Sequence, residues 1–360
     1  MATLEYEAVI TCEAVADQMS CVRWINDGRS THASFVTGSY GEASNVLAWW
    51  QLSIPGSIGE GDYQESHKRP KWLTESSIQG DITALEAGPT GTLLAATSEG
   101  LCCVVKMEEV LDEHRLQLSQ WFQGSHTFDG EQNASCTGLS VYDSMVTTVG
   151  EDGRLYLYRS IHDTVPLREY QDANESSYRC VKLLDSNNVL VGSSNHLLHC
   201  FDLRNGSDMP SFSLYTGEKE DELAGSSCAV CIRPMLGRDK FIFAGLESGT
   251  IMGWDLRNPN GVTQSMEGHS GAVTGMCFPV YSAGTMFSAS DDGDIGQWHF
   301  DMQQWEGNRI AFQQLVKCQT RIMKQRHAIR SIDANATQLI AVGDGRMIFF
   351  IDSVSYYLAP

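Results

Sequence analysis

The stretch Met145-Val146-Thr147-Thr148-Val149-Gly150-Glu151-Asp152-Gly153-Arg154-Leu155-Tyr156-Leu157-Tyr158 reads as two strand-like runs joined by an Asp-Gly pair. That pair supplies the positive backbone angles that a tight connection between twisted strands requires, so the unit is a hairpin. The same plan recurs from Phe241 to Asp255 (FIFAGLESGTIMGWD), from Met286 to Gly293 and on to Trp298, and from Leu339 to Gly345 and on to Asp352. Weaker copies lie at Leu93 to Gly100, at Val189 to His196 leading to Phe201-Asp202, and at Phe35 to Tyr40 leading to Trp49-Trp50. With Gly100, Gly153, His196, Gly249, Gly293 and Gly345 as turn markers, the spacings are 53, 43, 53, 44 and 52 residues. A recurrence on this scale is the mark of a repeat architecture.

A short apolar strand precedes every unit. These are Cys21 to Trp24, Ile82 to Leu85, Cys136 to Val141, Cys180 to Leu184, Ala229 to Ile232, Val273 to Phe278 and Ala328 to Ile332. Seven sheets arranged as a ring would place these strands innermost, around a central channel. The seventh unit lacks a fourth strand, because only Ser353 to Pro360 follows it. Tyr6 to Ile10 is strand-like and has no sheet of its own, so it is expected to close the ring as the outer strand of that unit and remove two open sheet edges. The fold class expected is all-β, a seven-bladed propeller closed by the N-terminal strand, with residues 1–360 as one domain. Longer loops are expected at about 53–80 and 107–133, and the acidic run Glu218 to Glu222 reads as a solvated loop.

Composition narrows the function classes. The chain has 360 residues, 42% hydrophobic and 19% charged, with 25 Lys+Arg against 45 Asp+Glu and a net charge of −20. A chain of this size buries enough apolar surface to fold without staples. No apolar run approaches the roughly 18 to 20 residues that cross a bilayer, and the first residues lack the basic flank of a secretory signal. Nucleic-acid binding draws its affinity from cations that displace phosphate counterions, so an acidic chain without a Lys/Arg run is a poor candidate. The eleven cysteines are an odd number scattered through strand-like runs. They read as reduced thiols packed as small hydrophobes, in a cytosolic or nuclear protein.

Three features resemble WD40 propellers: Gly268-His269 ahead of the sixth unit, Trp254-Asp255 closing the fifth, and the Asp-Gly turns. The unit spacings sit at or above the ~40 to 45 residues of a WD40 blade. Several units lack the Trp-Asp pair, so the set is divergent. A narrower resemblance is carried by Val146 to Arg159 (VTTVGEDGRLYLYR), by Phe35 to Ser39 with Asn45 to Trp49, and by Ser288 to Asp301 (SASDDGDIGQWHFD). These runs look like stretches of the WD-repeat nucleoporins of the Y-shaped complex in the nuclear pore scaffold. The basic region Arg309 to Arg326 departs from that pattern. The resemblance implies a scaffold subunit at the nuclear envelope that supports pore assembly and nucleocytoplasmic transport. Its implied partners are a helical solenoid nucleoporin, a second small propeller and other Y-complex subunits, with no direct membrane insertion.

Chemistry-bearing motifs are sparse. The chain has no Gly-x-Ser-x-Gly, no His-Glu-x-x-His and no phosphate-binding Gly-rich loop, so neither catalysis nor a cofactor is expected. Cys228 and Cys231 have zinc-like spacing, yet residues three apart on a strand face opposite ways, and no second pair lies nearby. His269, Ser290 and Trp298 are expected to form a hydrogen-bonded network that orders the sixth blade. Trp254-Asp255-Leu256-Arg257, and more weakly Phe201-Asp202-Leu203-Arg204, resembles the box by which some propellers dock onto the adaptor of cullin-type ubiquitin ligases. Trp254, Asp255 and Arg257 are therefore the candidate docking residues of an alternative reading, a ligase substrate receptor. The local reading is an Asp that caps the turn and an Arg that pairs with it on the rim. Trp49, Trp50, Trp72, Trp121 and Trp305 are expected to pack between blades, with any exposed member an interface anchor.

Overall fold

The computed structural model describes residues 9–25, 33–52, 69–110, 113–122, 126–171, 176–217, 227–259, 264–280, 282, 284–300, 316–336 and 338–352. Within them the chain forms seven four-stranded antiparallel sheets, which are the blades of a propeller. From the inside outward, blade 1 is β2 (Met19–Ile25), β3 (Ala33–Ser39), β4 (Asn45–Leu52) and β5 (Lys71–Ile78). Blade 2 is β6 (Ile82–Ala87), β7 (Thr92–Thr97), β8 (Cys102–Val110) and β9 (Glu113–Trp121). A small hairpin of β10 (Thr127–Phe128) and β11 (Gln132–Asn133) leads into blade 3, which is β12 (Cys136–Tyr142), β13 (Met145–Gly150), β14 (Arg154–Tyr158) and β15 (Arg168–Gln171). Blade 4 comprises β16 (Tyr178–Leu183), β17 (Asn188–Ser193), β18 (Leu197–Asp202) and β19 (Phe212–Tyr215). Blade 5 comprises β20 (Ala229–Met235), β21 (Arg238–Leu246), β22 (Thr250–Asp255) and β23 (Gln264–Glu267). Blade 6 comprises β24 (Val273–Cys277), β25 (Thr285–Ser290), β26 (Asp294–Phe300) and β27 (Val316–Lys324). Blade 7 joins β28 (Ile329–Ala334), β29 (Gln338–Gly343) and β30 (Met347–Asp352) to β1 (Ile10–Ala14).

The N-terminal strand closes the ring, but further along the chain than expected. β1 pairs with β30 in the register Ile10 to Ile351, Cys12 to Phe349 and Ala14 to Met347. Most of the expected strand, Tyr6 to Ala8, lies outside the described residues. The shift has a physical origin. An outermost strand is partly solvated on both faces, so Thr11, Cys12 and Glu13 serve as well as apolar residues, and the register with β30 decides. The same effect corrects the two expected loops. Lys71–Ile78 and Glu113–Trp121 are outer strands, and only parts of 53–80 and 107–133 are connections. The acidic run Glu218 to Glu222 and Trp305 lie outside the described residues.

Apolar packing follows the seams between blades rather than one central core. Each of the seven buried clusters joins two adjacent sheets, for example Leu94, Cys102, Cys136, Val146 and Tyr158 between blades 2 and 3. Val22, Phe35, Ile340, Val342 and Phe350 form the seam between blades 1 and 7 where the chain ends meet. Every inner strand also has a register shift at the same place, between Met19 and Cys21 in β2 and between Val273 and Gly275 in β24, with equivalents in the other five, and β20 has a second at Pro234/Met235. The residue skipped is Ser20, Thr83, Thr137 or Thr274 in four blades. Each of these hydroxyls donates to the carbonyl of the first residue of the next blade's inner strand: Ile82, Cys136 (2.5 Å), Tyr178 (2.7 Å) and Ile329 (2.6 Å), respectively. A β-bulge thus aims a small donor across each of these seams.

The turn glycines have a second role beyond the hairpin. Gly249 has φ +89° and Gly293 has φ +84°, conformations that L side chains rarely adopt. A Cβ there would also stand 2.3 Å from the His269 carbonyl oxygen and 2.2 Å from that of Gln325, so the turn of one blade sits against the loop that enters the next.

Candidate functional site

Blade 6 holds a buried polar relay. Trp298 Nε1 donates to Ser288 Oγ at 2.8 Å, and Ser288 Oγ lies 2.7 Å from His269 Nε2. Ser288 Oγ accepts from Trp298 and shares a second hydrogen bond with His269 Nε2, whereas His269 Nδ1 is buried with no hydrogen-bond partner among the described residues. Burial pushes the His269 imidazole below its ordinary range, and Asp292, whose Oδ1 is 3.8 Å from Nδ1, does not offset it. Asp292 is occupied elsewhere, accepting from the Ser270 backbone N–H at 2.7 Å and from the Asp294 N–H at 2.9 Å. Gly268 makes room for the relay, because a Cβ there would stand 2.5 Å from the Trp298 ring.

Two of the three residues expected in this network are in it. Ser290 is not, since its hydroxyl donates to the Gly271 carbonyl at 3.0 Å. Residues 288 and 290 point to the same face of β25, so alternation cannot choose between them. Their depth along the strand relative to Trp298 does. The relay borders a surface groove lined by Gly268, His269, Asp292, Asp294, Gln319 and Arg321. The basic region that departed from the family pattern is partly explained here: Arg321 and Lys324 reach the buried Asp294 carboxylate at 3.0 and 3.2 Å.

Sequence reasoning missed a second relay, in blade 3. His126 Nδ1 is 2.8 Å from Asp152 Oδ1, and its Nε2 is 3.0 Å from Thr148 Oγ1. Thr148 and Tyr158 occupy the positions of Ser288 and Trp298. Here burial works against the charge, but Cys136 and the Asp152 carboxylate prevail and lift His126 to about 9. The two equivalent histidines are therefore shifted in opposite directions, His126 upward by the neighbouring Cys136 and by Asp152 at 2.8 Å, His269 downward by burial with its aspartate at 3.8 Å. Imidazole NMR should show His126 titrating well above the ordinary 6.5 and His269 below it. The His126 contribution to stability should be fully present below pH 6.5 and fade as pH rises through about 9. Matching titrations for the two rings would refute this assignment. A signal did exist in the sequence, since Thr148 and Asp152 repeat the spacing of Ser288 and Asp292. The β10–β11 insertion separates His126 from its strand and hides it.

The docking candidates split on exposure. Trp254 is buried, whereas the Arg257 guanidinium is 57% exposed. Arg257 clasps its own neighbour, with Nη2 at 2.7 Å and Nε at 2.9 Å from the two Asp255 oxygens, and lies over the Phe241 ring. Asp202 and Arg204 repeat the clasp in blade 4. Cys228 and Cys231 part company as well: one sulfur approaches His196 at 3.5 Å and the other the Val273 carbonyl at 3.5 Å. Among the described residues no group of three or more His, Cys, Asp or Glu side chains is arranged to hold a metal ion. No helix among the described residues is long and apolar enough to cross a membrane. Trp49 is buried, and Trp72 on β5 is 50% exposed.

The channel contains a charged layer. Arg23, Glu86, Ser140, Lys182, Arg233, Cys277 and Asp333 occupy the same position of the seven inner strands, two residues beyond the register shift. Lys182 Nζ reaches Glu86 Oε1 at 2.8 Å, a contact between blades 4 and 2 that spans the channel. Arg23 is 3.6 Å from the other Glu86 oxygen. Burial alone would raise the Glu86 carboxyl, but Lys182 and Arg23 hold it down at about 2.

Seven four-stranded blades and closure by the N-terminal strand define a seven-bladed β-propeller, whose sixth blade has a Gly-His entrance and a His-Ser-Trp relay. Residues 260–299, which cover the relay and its entrance, match the family described as WD domain, G-beta repeat. At the level of individual proteins, the chain is similar to human nucleoporin Nup43, with 24% identity over 302 residues that span 81% of this chain and 76% of that protein. The mouse Nup43 shows the same identity and coverage. A periodic tryptophan protein 1 homolog of Drosophila melanogaster is 24% identical over 117 residues, 32% of this chain and 24% of its own length.

Proposed function

We propose that residues 1–360 act as one propeller unit and that the protein is a non-enzymatic scaffold subunit of the outer-ring Y complex of the nuclear pore. It docks onto a helical solenoid nucleoporin, contacts other Y-complex subunits and resides at the nuclear envelope, where it supports pore assembly and transport. The observation that carries this reading is the reach of the likeness to Nup43, which extends over 81% of the chain and so takes in far more than one repeat. A ring of rigid sheets suits permanent assembly, because a preorganised surface loses little conformational entropy on binding. The buried relays support a structural role: in both blades the histidine bonds to a strand hydroxyl, and in blade 3 also to an aspartate. A net charge of −20 opposes direct contact with nucleic acid.

Tagged protein should light the nuclear rim, and affinity purification from nuclear envelopes should recover scaffold nucleoporins. Arg257→Ala should leave that recovery unchanged. A diffuse cytosolic signal, with recovery of a cullin-ligase adaptor that Arg257→Ala abolishes, would replace this reading with a substrate receptor.

A further inference from the structure

The seam between blades 2 and 3 contains two thiols in contact. Cys102, the first residue of β8, and Cys136, the first residue of β12, place their sulfurs 3.2 Å apart, with Cys102 donating to Cys136. Both are buried within the apolar cluster of Leu94, Val104, Phe122, Leu139 and Tyr158. They differ from the other buried cysteines in their polar surroundings. Burial drives Cys103 and Cys200 up to about 12, which leaves them inert thiols. Cys136 faces the opposite balance, because the hydrogen bond from Cys102 and the neighbouring His126 outweigh burial and favour its thiolate. His126 is itself fixed by Asp152 and Thr148. The remaining titratable groups facing the pair are Cys103 and the phenol of Tyr158.

We propose that Cys102 and Cys136 form a redox modification site, in which a peroxide converts the sulfur contact into a disulfide that joins blade 2 to blade 3. The thiolate of Cys136 attacks one oxygen of hydrogen peroxide, the O–O bond breaks, and Cys136 becomes a sulfenic acid as hydroxide leaves. Cys102 then attacks that sulfur, the S–O bond breaks, and its proton leaves with the departing oxygen as water. In sum, two thiols and one peroxide give one disulfide and two waters. The sulfurs need to close from 3.2 Å to about 2.05 Å, a movement within reach of side-chain rotation and small backbone adjustment. Hydrogen peroxide is small and uncharged, which suits a pair with almost no exposed surface.

The test uses the full chain, reduced and then incubated with hydrogen peroxide, alkylated after unfolding, and mapped by mass spectrometry without reduction. The exposed Cys12 serves as an internal reference for oxidant strength. The expected product is a peptide pair linked through Cys102 and Cys136, restored to free thiols by a reductant. In C102S, which removes the resolving sulfur, the sulfenic-acid trap dimedone should label Cys136. Should C102S fail to fold, the wild-type map decides alone. Recovery of both Cys102 and Cys136 as fully alkylated thiols from a sample in which Cys12 is oxidised would overturn the proposal.

Discussion

Removal of residues 1–14 should destabilise the propeller by about 5 kcal/mol and turn it into an aggregating species. β1 is the whole outer strand of blade 7, paired with β30 from Ile10 to Ala14. The ladder is extended by Asp352 N–H to Val9 O at 3.0 Å and Val15 N–H to Arg346 O at 2.9 Å. About five backbone hydrogen bonds are lost, each contributing ~1 kcal/mol net. Their loss also uncovers the unpaired edge of β30, which invites another chain to pair with it. The seam between blades 1 and 7 survives the deletion, because Trp24 N–H to Asp333 and Tyr40 to Asp344 do not involve β1. The truncated protein should therefore unfold at lower denaturant and scatter light while keeping a β-rich spectrum. An unchanged midpoint with no scattering would mean that β1 contributes nothing to closure. Cys12→Ser in the full chain should leave the midpoint where it is, since that side chain is exposed.

The second large effect should come from the channel. Glu86→Ala leaves Arg23, Lys182 and Arg233 facing one another without the carboxylate that two of them contact. Breaking a fully buried pair costs about 3 to 5 kcal/mol. Glu86, Lys182 and Arg23 are 16–17% exposed and Asp333 stays beside Arg23, so the loss should fall towards the lower end, with Lys182 the charge left without its partner. Adding Lys182→Met to Glu86→Ala should restore part of the loss, a coupling that a double-mutant cycle measures directly. The pH dependence has a definite sign. The folded-state value of Glu86, about 2, lies below its ordinary 4.5. Its contribution is present above pH 4.5 and disappears as pH falls towards 2. Denaturation at pH 7 showing a loss under 1 kcal/mol for Glu86→Ala would mean that water screens the channel cluster.

The three kinds of interaction that hold the ring together differ in how visible they are along the chain. Hairpins are local: Asp152-Gly153 between two alternating runs announces β13 and β14, because turn conformation and strand alternation depend on residues close in sequence. Seven such units, each preceded by an apolar strand, determined the all-β class, the blade count and the need for the N-terminus to complete blade 7. Outer strands are less legible. β5, β9 and β1 are half-solvated, so polar residues such as Thr11 and Glu13 serve on their inward face, and only the register of the inner neighbour fixes where they begin.

Contacts across the seams and the channel belong to tertiary structure alone. Whether Ser288 or Ser290 meets Trp298 depends on fractions of a strand length, since both lie on one face. Whether a relay histidine is shifted up or down depends on an aspartate at 2.8 Å against 3.8 Å and on a cysteine beside one ring, which the His and Asp common to blades 3 and 6 do not encode. Lys182 and Glu86 are 96 residues apart, and Cys102 and Cys136 are 34 apart. Sequence by itself determined the repeat and therefore the ring. Only the closed ring brings charges from non-adjacent blades together across its axis and presses two thiols together in a seam, because those distances are set by the curvature of seven packed sheets and not by any local preference of the chain.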